Sequence, residues 1–430
     1  ELLLLKGRIL DESKKPNALI DGWLIDKIVR YQNPLGCWGG YTTSTVFSLL
    51  AMVHFSEHST RQQNKIKNAK SLGLNILRTL YLNPENGAYT GITCDGTNCD
   101  TMLSVTALLE TGFQASELKE SLEFVTSEQA DNGGMPFGIG FIHEPDVNNT
   151  CAATELWYKV GGQYRENALL SLNWLMERQN DDGGWGAFNK NNRNNPVLSF
   201  FLRDYKDRES LFDYSSNDCA GHALSAMSLG GYNKFNSPVA QKAISYLKTQ
   251  QKDFGGWKGR WAQNYLFGTS VALQGLLASG EDVRAPYIQR AIGWMISKQN
   301  SDGGFGETPQ SYRKIHLAGI GESTPSHTSW VLITLAECGI ASSESGHKAA
   351  QWLVENFKKR GRWVDQSVTA TRHPGLTMMQ CSLYAPTFPL IALGKYLKAM
   401  GQQVTRTQMN WQALPAYRGF PPIVGRDVQL

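Results

Sequence analysis

This 430-residue sequence predicts an all-α fold, a double-layered helical barrel or toroid of the (α/α)6 type. Three observations point to it. A short pattern of Gln, three residues, Gly, one residue and an aromatic recurs along the chain. Each copy ends a stretch with helical periodicity. Each copy is followed, after a loop, by a second apolar helix. Self-similarity at a period of tens of residues marks a fold built from repeated supersecondary units.

The copies can be taken in order. Gln32-Gly36-Trp38, Gln179-Gly183-Trp185, Gln251-Gly255-Trp257 and Gln299-Gly303-Phe305 carry the whole pattern. Asn83-Gly87-Tyr89 begins with Asn, and Gln129-Gly133-Met135 lacks the aromatic, although Phe137 follows. Asn356, Gly361 and Trp363 form a degraded seventh copy. The starts lie 51, 46, 50, 72, 48 and 57 residues apart, which suits two helices of three to four turns plus loops. Leu169, Leu172, Leu175 and Met176 share a helix face before Gln179, as do Ile292, Met295 and Ile296 before Gln299. The stretches 43–54, 101–111, 269–279 and 328–338 are the expected second helices. Glycine ends the first helix with positive φ. The Gln side chain bonds backbone groups left open at helix ends, and the aromatic seals the corner. Clear polar capping repeats, which an open solenoid needs, are not seen, so the hairpins are expected to close into a ring. The 72-residue interval holds an Asn-rich, charged insertion from Asn189 to Asp213, expected to be a surface loop. The barrel is placed at residues 17–400, with an extension at 1–16 and a tail at 401–430.

Composition narrows the function. A net charge of +4, with no basic cluster behind it, gives no nucleic-acid footprint. The 12 Trp, 16 Tyr and 17 Phe are the unusual feature. Seven scattered cysteines suggest free thiols in a reducing compartment, hence a cytoplasmic protein. Cys94 and Cys99 lack the second Cys/His pair a metal site needs. No apolar run is long enough to span a bilayer. The Leu2–Leu5 run is too short for a signal-peptide core and is compatible with the trimmed edge of a longer chain.

The repeat resembles the QW motif of the squalene-hopene and oxidosqualene cyclases, and other stretches are similar to the same family. They are 183–192 (GGWGAFNKNN), 259–269 (GRWAQNYLFGT), 311–330 (ending LAGIGESTPSHTSW) and 388–396 (FPLIALGKY). The likeness runs from about Asn17 to about Met400. It implies a class II terpene cyclase working on a hydrophobic polyprenyl, terpenoid or meroterpenoid chain. In that family two barrels pack together with the pocket between them. Only the catalytic barrel is recognisable here, so a separate second-barrel partner, a homodimer or a peripheral membrane face is expected to complete the pocket.

The family's reaction is cationic. A carboxylic acid protonates an alkene or epoxide in a dry pocket, and aromatic faces stabilise the moving cation. The acid motif is Asp-x-Asp-Asp-Thr, and the matching stretch is Asp146-Val147-Asn148-Asn149-Thr150. Asn148 stands where the family has its proton donor, and an amide cannot deliver that proton. Three readings stay open: Asp-to-Asn replacements that disarm the acid, a trigger supplied by Asp146 or an outside acid, and a barrel that only binds its isoprenoid. The resemblance assigns the catalytic positions to Asp146, Asn148, Asn149 and His222, the last matching the histidine that hydrogen-bonds the acid. It assigns the cavity wall to Trp38, Phe137, Phe188, Trp261, Phe267 and Tyr384. His373, Thr377 and Cys381 replace aromatics at the C-terminal wall, which suggests a shorter substrate, an earlier stop or a more polar head group than squalene. Asp100 matches a family Asp-Thr pair and suits a helix start. No metal or cofactor is expected, with Mg2+ entering only for a diphosphate substrate. The alternatives are a non-catalytic isoprenoid-binding subunit and a zinc-dependent prenyltransferase-like barrel.

Overall fold

The computed structural model describes residues 18–38, 42–58, 62–78, 82–85, 88–91, 96–139, 144–191, 213–373 and 377–402. Gly87, Cys94 and most of the 189–213 insertion lie outside these residues. The described residues form fourteen α-helices and three two-stranded hairpins. The helices are α1 (Ala18–Arg30), α2 (Thr42–His58), α3 (Gln63–Ile76), α4 (Thr97–Glu110), α5 (Lys119–Ser127), α6 (Val147–Val160) and α7 (Arg165–Glu177). They continue with α8 (Asn217–Leu229), α9 (Pro238–Gln250), α10 (Tyr265–Ala278), α11 (Pro286–Ser297), α12 (Pro325–Glu337), α13 (Glu344–Arg360) and α14 (Tyr384–Ala399). The hairpins pair β1 (Leu82–Glu85) with β2 (Ala88–Gly91), β3 (Met135–Pro136) with β4 (Pro145–Asp146), and β5 (Ala370–His373) with β6 (Thr377–Met379).

Six helices form an inner ring, in which α4, α6, α8, α10, α12 and α14 each pack on the next and α14 packs back on α4. The outer helices α5, α7, α9, α11 and α13 lie against α4, α6, α8, α10 and α12. Inner helices are covered on several sides, and their sequences are apolar almost all round. In α10, every residue from Tyr265 to Leu273 is buried. Small residues permit the close approach: a Cβ on Gly275 would sit 2.3 Å from the carbonyl of Gly221, so α10 and α8 meet backbone to backbone. At the seam, Lys398 of α14 pairs with Glu110 of α4 at 2.6 Å.

The repeat acts as a staple of one design. In the copies of the ring, the Nε2 of each Gln donates both to the carbonyl of its own Gly and to a carbonyl in the first turn of the next outer helix. Gln179 reaches Gly183 and Val239 at 2.9 and 2.8 Å, Gln251 reaches Gly255 and Tyr287 at 2.7 and 2.8 Å, and Gln299 reaches Gly303 and Ser345 at 2.8 and 2.9 Å. The Trp185 and Trp257 indoles donate to Leu175 and Leu247, both 2.7 Å away, carbonyls near helix C-termini. Trp363 of the degraded copy makes the same bond to Leu353. Gly183 has φ +90°, and a Cβ there would lie 2.4 Å from the Lys242 carbonyl, so glycine is required twice over. A further member of the repeat is a threonine on the following helix. Thr45, Thr150, Thr269 and Thr328 accept the backbone N–H of Trp38, Met135, Trp257 and Phe305.

The ring differs from the expectation in one respect. It closes from α4 to α14, leaving the first hairpin outside. Helices α1–α3 pack on one another around their own core of Leu24, Ile25, Met52, Phe55 and Ile66.

Candidate active site

The inner helices run in parallel. Near their N-termini, Tyr384 of α14 lies by Cys99 and Asp100 of α4, and Phe267 of α10 touches His222 of α8 and Trp330 of α12. Their C-termini meet through Glu110, Lys159, Lys395, Lys398 and Glu337. The ring thus has an N-terminal mouth and a C-terminal floor. Along α6, Asn148, Ala152, Glu155 and Lys159 keep accessible surface, while every other residue from Val147 to Trp157 is buried. That spacing is one helix stripe. Since α4, α7 and α8 cover the other sides of α6, the stripe faces a hollow running down the inside of the ring.

At the mouth, the motif residues take different jobs. Asp146 caps α6: Oδ1 accepts the Asn149 backbone N–H at 2.9 Å and Oδ2 accepts the Asn149 side-chain amide at 2.7 Å. Thr150 is the repeat threonine, its hydroxyl donating to the Asp146 carbonyl at 2.6 Å. Asp146, Asn149 and Thr150 are therefore buried in the wall, and Asn148 alone stands on the inward stripe, with its Oδ1 buried and lacking a partner among the described residues. Burial pushes the Asp146 carboxyl up to about 7, against the opposing pull of its bonds from Asn149, with Asp213 adding a smaller push.

Asp213 organises the adjoining turn. Its carboxylate accepts the three consecutive backbone N–H groups of Ala187, Phe188 and Asn189 at 2.5–2.6 Å, a concave nest of donors around one anion. The turn is tied to α6 by the Val147 N–H, which donates to the Ala187 carbonyl at 2.8 Å. Phe188 then meets Trp261 edge to face, with centroids 6.2 Å apart. Trp261 is positioned by Asp218, which accepts the backbone N–H groups of Arg260 and Trp261 at 2.9 and 2.8 Å. The Arg260 guanidinium lies 4.4 Å from the Trp261 ring.

From Phe267 the aromatic wall continues around the ring. Trp330 lies 4.9 Å from Phe267, 6.0 Å from Tyr384 and 5.6 Å from Phe388, and Tyr384 and Phe388 are 5.1 Å apart. His222 sits 6.2 Å from Phe267, and burial holds its imidazole below the usual range, hence neutral, with Asp218 pulling the other way. His222 and Tyr384 keep some accessible surface although burial dominates their shifts, so the surface they keep belongs to the hollow. The structure therefore brings together Phe188 with Trp261, and His222 with Phe267, which Trp330 links to Tyr384. Phe137 is half-buried beside Gly96 at the start of α4. Cys381 is half-buried just before α14. His373 pairs with Thr377 in the β5–β6 hairpin, which is anchored at the mouth by the Thr371 N–H donating to the Trp261 carbonyl at 3.0 Å.

Trp38 stands apart from this group. It is the corner aromatic of the first staple, its indole donating to Ile28 at 2.6 Å, and it packs in the α1–α3 core. Trp330, Phe388 and Asp213 are members of the site that the sequence did not single out. The first two sit within family-like stretches, and Asp213 closes the insertion. Asp100 lies in the first turn of α4. Among the described residues, no three His, Cys, Asp or Glu side chains converge to hold a metal ion.

Comparison with known proteins follows the same lines. Residues 98–398, the span of the ring, match the squalene-hopene cyclase C-terminal domain. The squalene-tetrahymanol cyclase of Tetrahymena thermophila is 32% identical over 385 residues, covering 87% of this chain and 58% of that protein. The squalene-hopene cyclase of Alicyclobacillus acidocaldarius is 31% identical over 397 residues, covering 88% and 60%. The chain spans about half the length of the relatives it matches. The type II terpene cyclase MstE from Scytonema, solved with geranylgeranyl dihydroxybenzoate, has the same fold at 16% identity and a TM-score of 0.51, over 74% of this chain and 91% of that one. The chain belongs to the squalene-hopene cyclase family of class II terpene cyclases and carries that family's C-terminal domain.

Proposed function

We propose that the chain cyclises a linear isoprenoid by a cationic route, with the substrate drawn into the mouth of the ring. The observation that carries this reading is the arc of rings from His222 through Phe267, Trp330, Tyr384 and Phe388, set at the N-terminal end of the ring, where Asn148 also lies. Such faces attract a carbocation most strongly where water is excluded. A barrel with a merely structural core has no use for a neutral buried histidine, a carboxyl and an aromatic arc at one end. Within the motif, Asp146 alone carries an acidic proton. Burial keeps it protonated up to about pH 7, and we assign it the trigger. Delivery of that proton requires Asp146 to turn out of the wall toward the hollow and give up its bonds from Asn149, the step that makes this acid slower than a freely presented one.

The relatives' names suggest squalene, and the structural neighbour binds a geranylgeranyl phenolic acid. Both are the substrates to try. The purified chain is incubated with each, and mass spectrometry follows conversion to isomeric products with fewer double bonds. Cyclised isomers from the natural sequence, lost in Asp146→Asn, support the assignment. The bond from Asn149 to both Asp146 oxygens favours a second reading, a barrel that binds isoprenoid without turnover. Products from an Asn148→Asp/Asn149→Asp variant alone would establish that reading. No product from either chain would overturn the cyclase reading.

A further inference from the structure

The floor of the hollow holds six ionisable side chains. Lys159 and Lys398 both pair with Glu110, and Lys395 pairs with Glu337. One triad and one pair, three ammonium groups against two carboxylates, close the ring from α4 and α6 across to α12 and α14 and leave one positive charge over. Glu155 is the exception. It makes no hydrogen bond or ion pair among the described residues, although Lys395 and Glu337 lie near enough to act on its charge.

Glu155 sits on the inward stripe of α6, seven residues below Asn148. At 1.5 Å per residue, that is about 10 Å down the helix axis. Ala152, one turn above it, is exposed although it belongs to an inner helix, so the space between mouth and floor is open along this stripe. Burial pushes the Glu155 carboxyl up to about 7. At pH 7 about half of the group is therefore protonated, and in that form it donates one hydrogen bond and accepts another. A carboxyl left in a desolvated hollow without a partner is costly, and its place opposite the mouth is where the far end of a folded chain arrives.

We propose that Glu155 is the recognition point for an oxygen-bearing end of the substrate, a hydroxyl or carbonyl, so that the hollow selects an oxygenated isoprenoid over a pure hydrocarbon of the same skeleton. This rests on the reading of the hollow as an isoprenoid site and narrows its substrate class. A site with a buried polar group discriminates strongly against ligands that leave the group unpaired. A pure hydrocarbon leaves Glu155 unpaired; an alcohol does not. A diphosphate fits poorly, because it carries more negative charge than the single positive charge that three lysines keep over two glutamates, and an ionised Glu155 would repel it.

The test is a binding titration of the full chain, read by tryptophan fluorescence, since Trp261 and Trp330 lie at the mouth. The ligands are geranylgeraniol, the tetraprenyl hydrocarbon lacking its hydroxyl, and geranylgeranyl diphosphate. The alcohol is expected to bind at least ~10-fold more tightly than the hydrocarbon. Glu155→Leu should erase that preference while leaving hydrocarbon binding unchanged or stronger. The near-isosteric Glu155→Gln, for which folding is checked by circular dichroism, should keep most of it. Equal binding of alcohol and hydrocarbon by the natural chain, a preference that survives Glu155→Leu, or tightest binding of the diphosphate each overturns the proposal. If none of the three ligands binds, the isoprenoid reading of the hollow falls with it.

Discussion

Replacing Asp146 by Asn separates its two roles, helix cap and buried acid, because the two respond differently to pH. In the unfolded chain this carboxyl titrates at 3.8, and in the fold burial raises it to about 7. Between those values the folded state holds the proton more tightly. The stability it contributes is therefore fully present below pH 4, is lost as pH rises toward 7 and changes no further above. A rise of that size corresponds to roughly 4 kcal/mol, which is a ceiling for one buried group. In the variant, the introduced amide oxygen can still accept the Asn149 backbone N–H. The Asn149 side chain must turn over so that its own oxygen faces the new NH2, and the loss there is about 1 kcal/mol. Asp146→Asn is thus expected to match the natural protein in stability near about pH 4.5 and to be about 2–3 kcal/mol more stable at about pH 8. Urea unfolding across that interval measures this. The difference between the two curves isolates Asp146, since Glu155 and the other buried carboxyls titrate in both proteins. Parallel curves would show that Asp146 is not titrating near neutrality, and the trigger assigned to it would lose its physical basis.

Other perturbations report on the scaffold and the wall. Gln251→Ala removes both bonds from Nε2 to Gly255 and Tyr287 and should lower stability by about 1–3 kcal/mol in chemical denaturation without changing helix content; an unchanged midpoint would refute the staple. Trp330→Ala empties the centre of the aromatic arc and is expected to cost about 3–5 kcal/mol and to redistribute or abolish cyclised products. Trp261→Ala, at the half-buried rim, should alter the products with a smaller loss of stability; products identical to the natural protein's in both variants would remove the arc from the reaction.

Much of this was legible in the sequence for reasons that are local. Gln, Gly and Trp at fixed spacing do a job within one hairpin and the next, so Gln179, Gly183 and Trp185 could be read without knowing the fold. The insertion starting at Asn189 stood out by its length for the same reason. Ring closure was not legible in this way. It depends on Glu110 and Lys398, which are 288 residues apart, and nothing local says that the first hairpin stays outside. Trp38 was misplaced as a consequence, because its motif is that of every other corner. The wall residues Trp330 and Phe388 were hidden by the character of inner helices. A helix buried on nearly every side has no apolar stripe to mark which residues face the hollow. The Asp146–Thr150 motif misled in a subtler way. Its spacing suggests five residues aimed at one place, but a helix start divides them, with Asp146 capping, Thr150 holding Met135 and only Asn148 turned inward.

The division of labour at the two ends of the ring follows from helix polarity. Six parallel helices gather partial positive charge at the mouth and partial negative charge at the floor. The chain answers with carboxyls at the mouth, Asp100 and Asp218 in first turns and Asp146 at a cap, and with Lys159 and Lys398 in the last turns at the floor. A cation formed at the mouth would be repelled by six bare N-termini. Asp218, holding Trp261 and Arg260 beside His222, offsets part of that field where the aromatic faces lie, and the gradient draws positive charge inward along the hollow. The same gradient opposes an ionised carboxyl at the floor unless a lysine stands by, which is how Glu110 and Glu337 are tolerated. Glu155, to which no lysine is bonded, is driven toward its neutral form by burial, with Lys395 pulling the other way and Glu337 adding a smaller push. That is the condition in which a carboxyl binds an alcohol or a carbonyl rather than an ion.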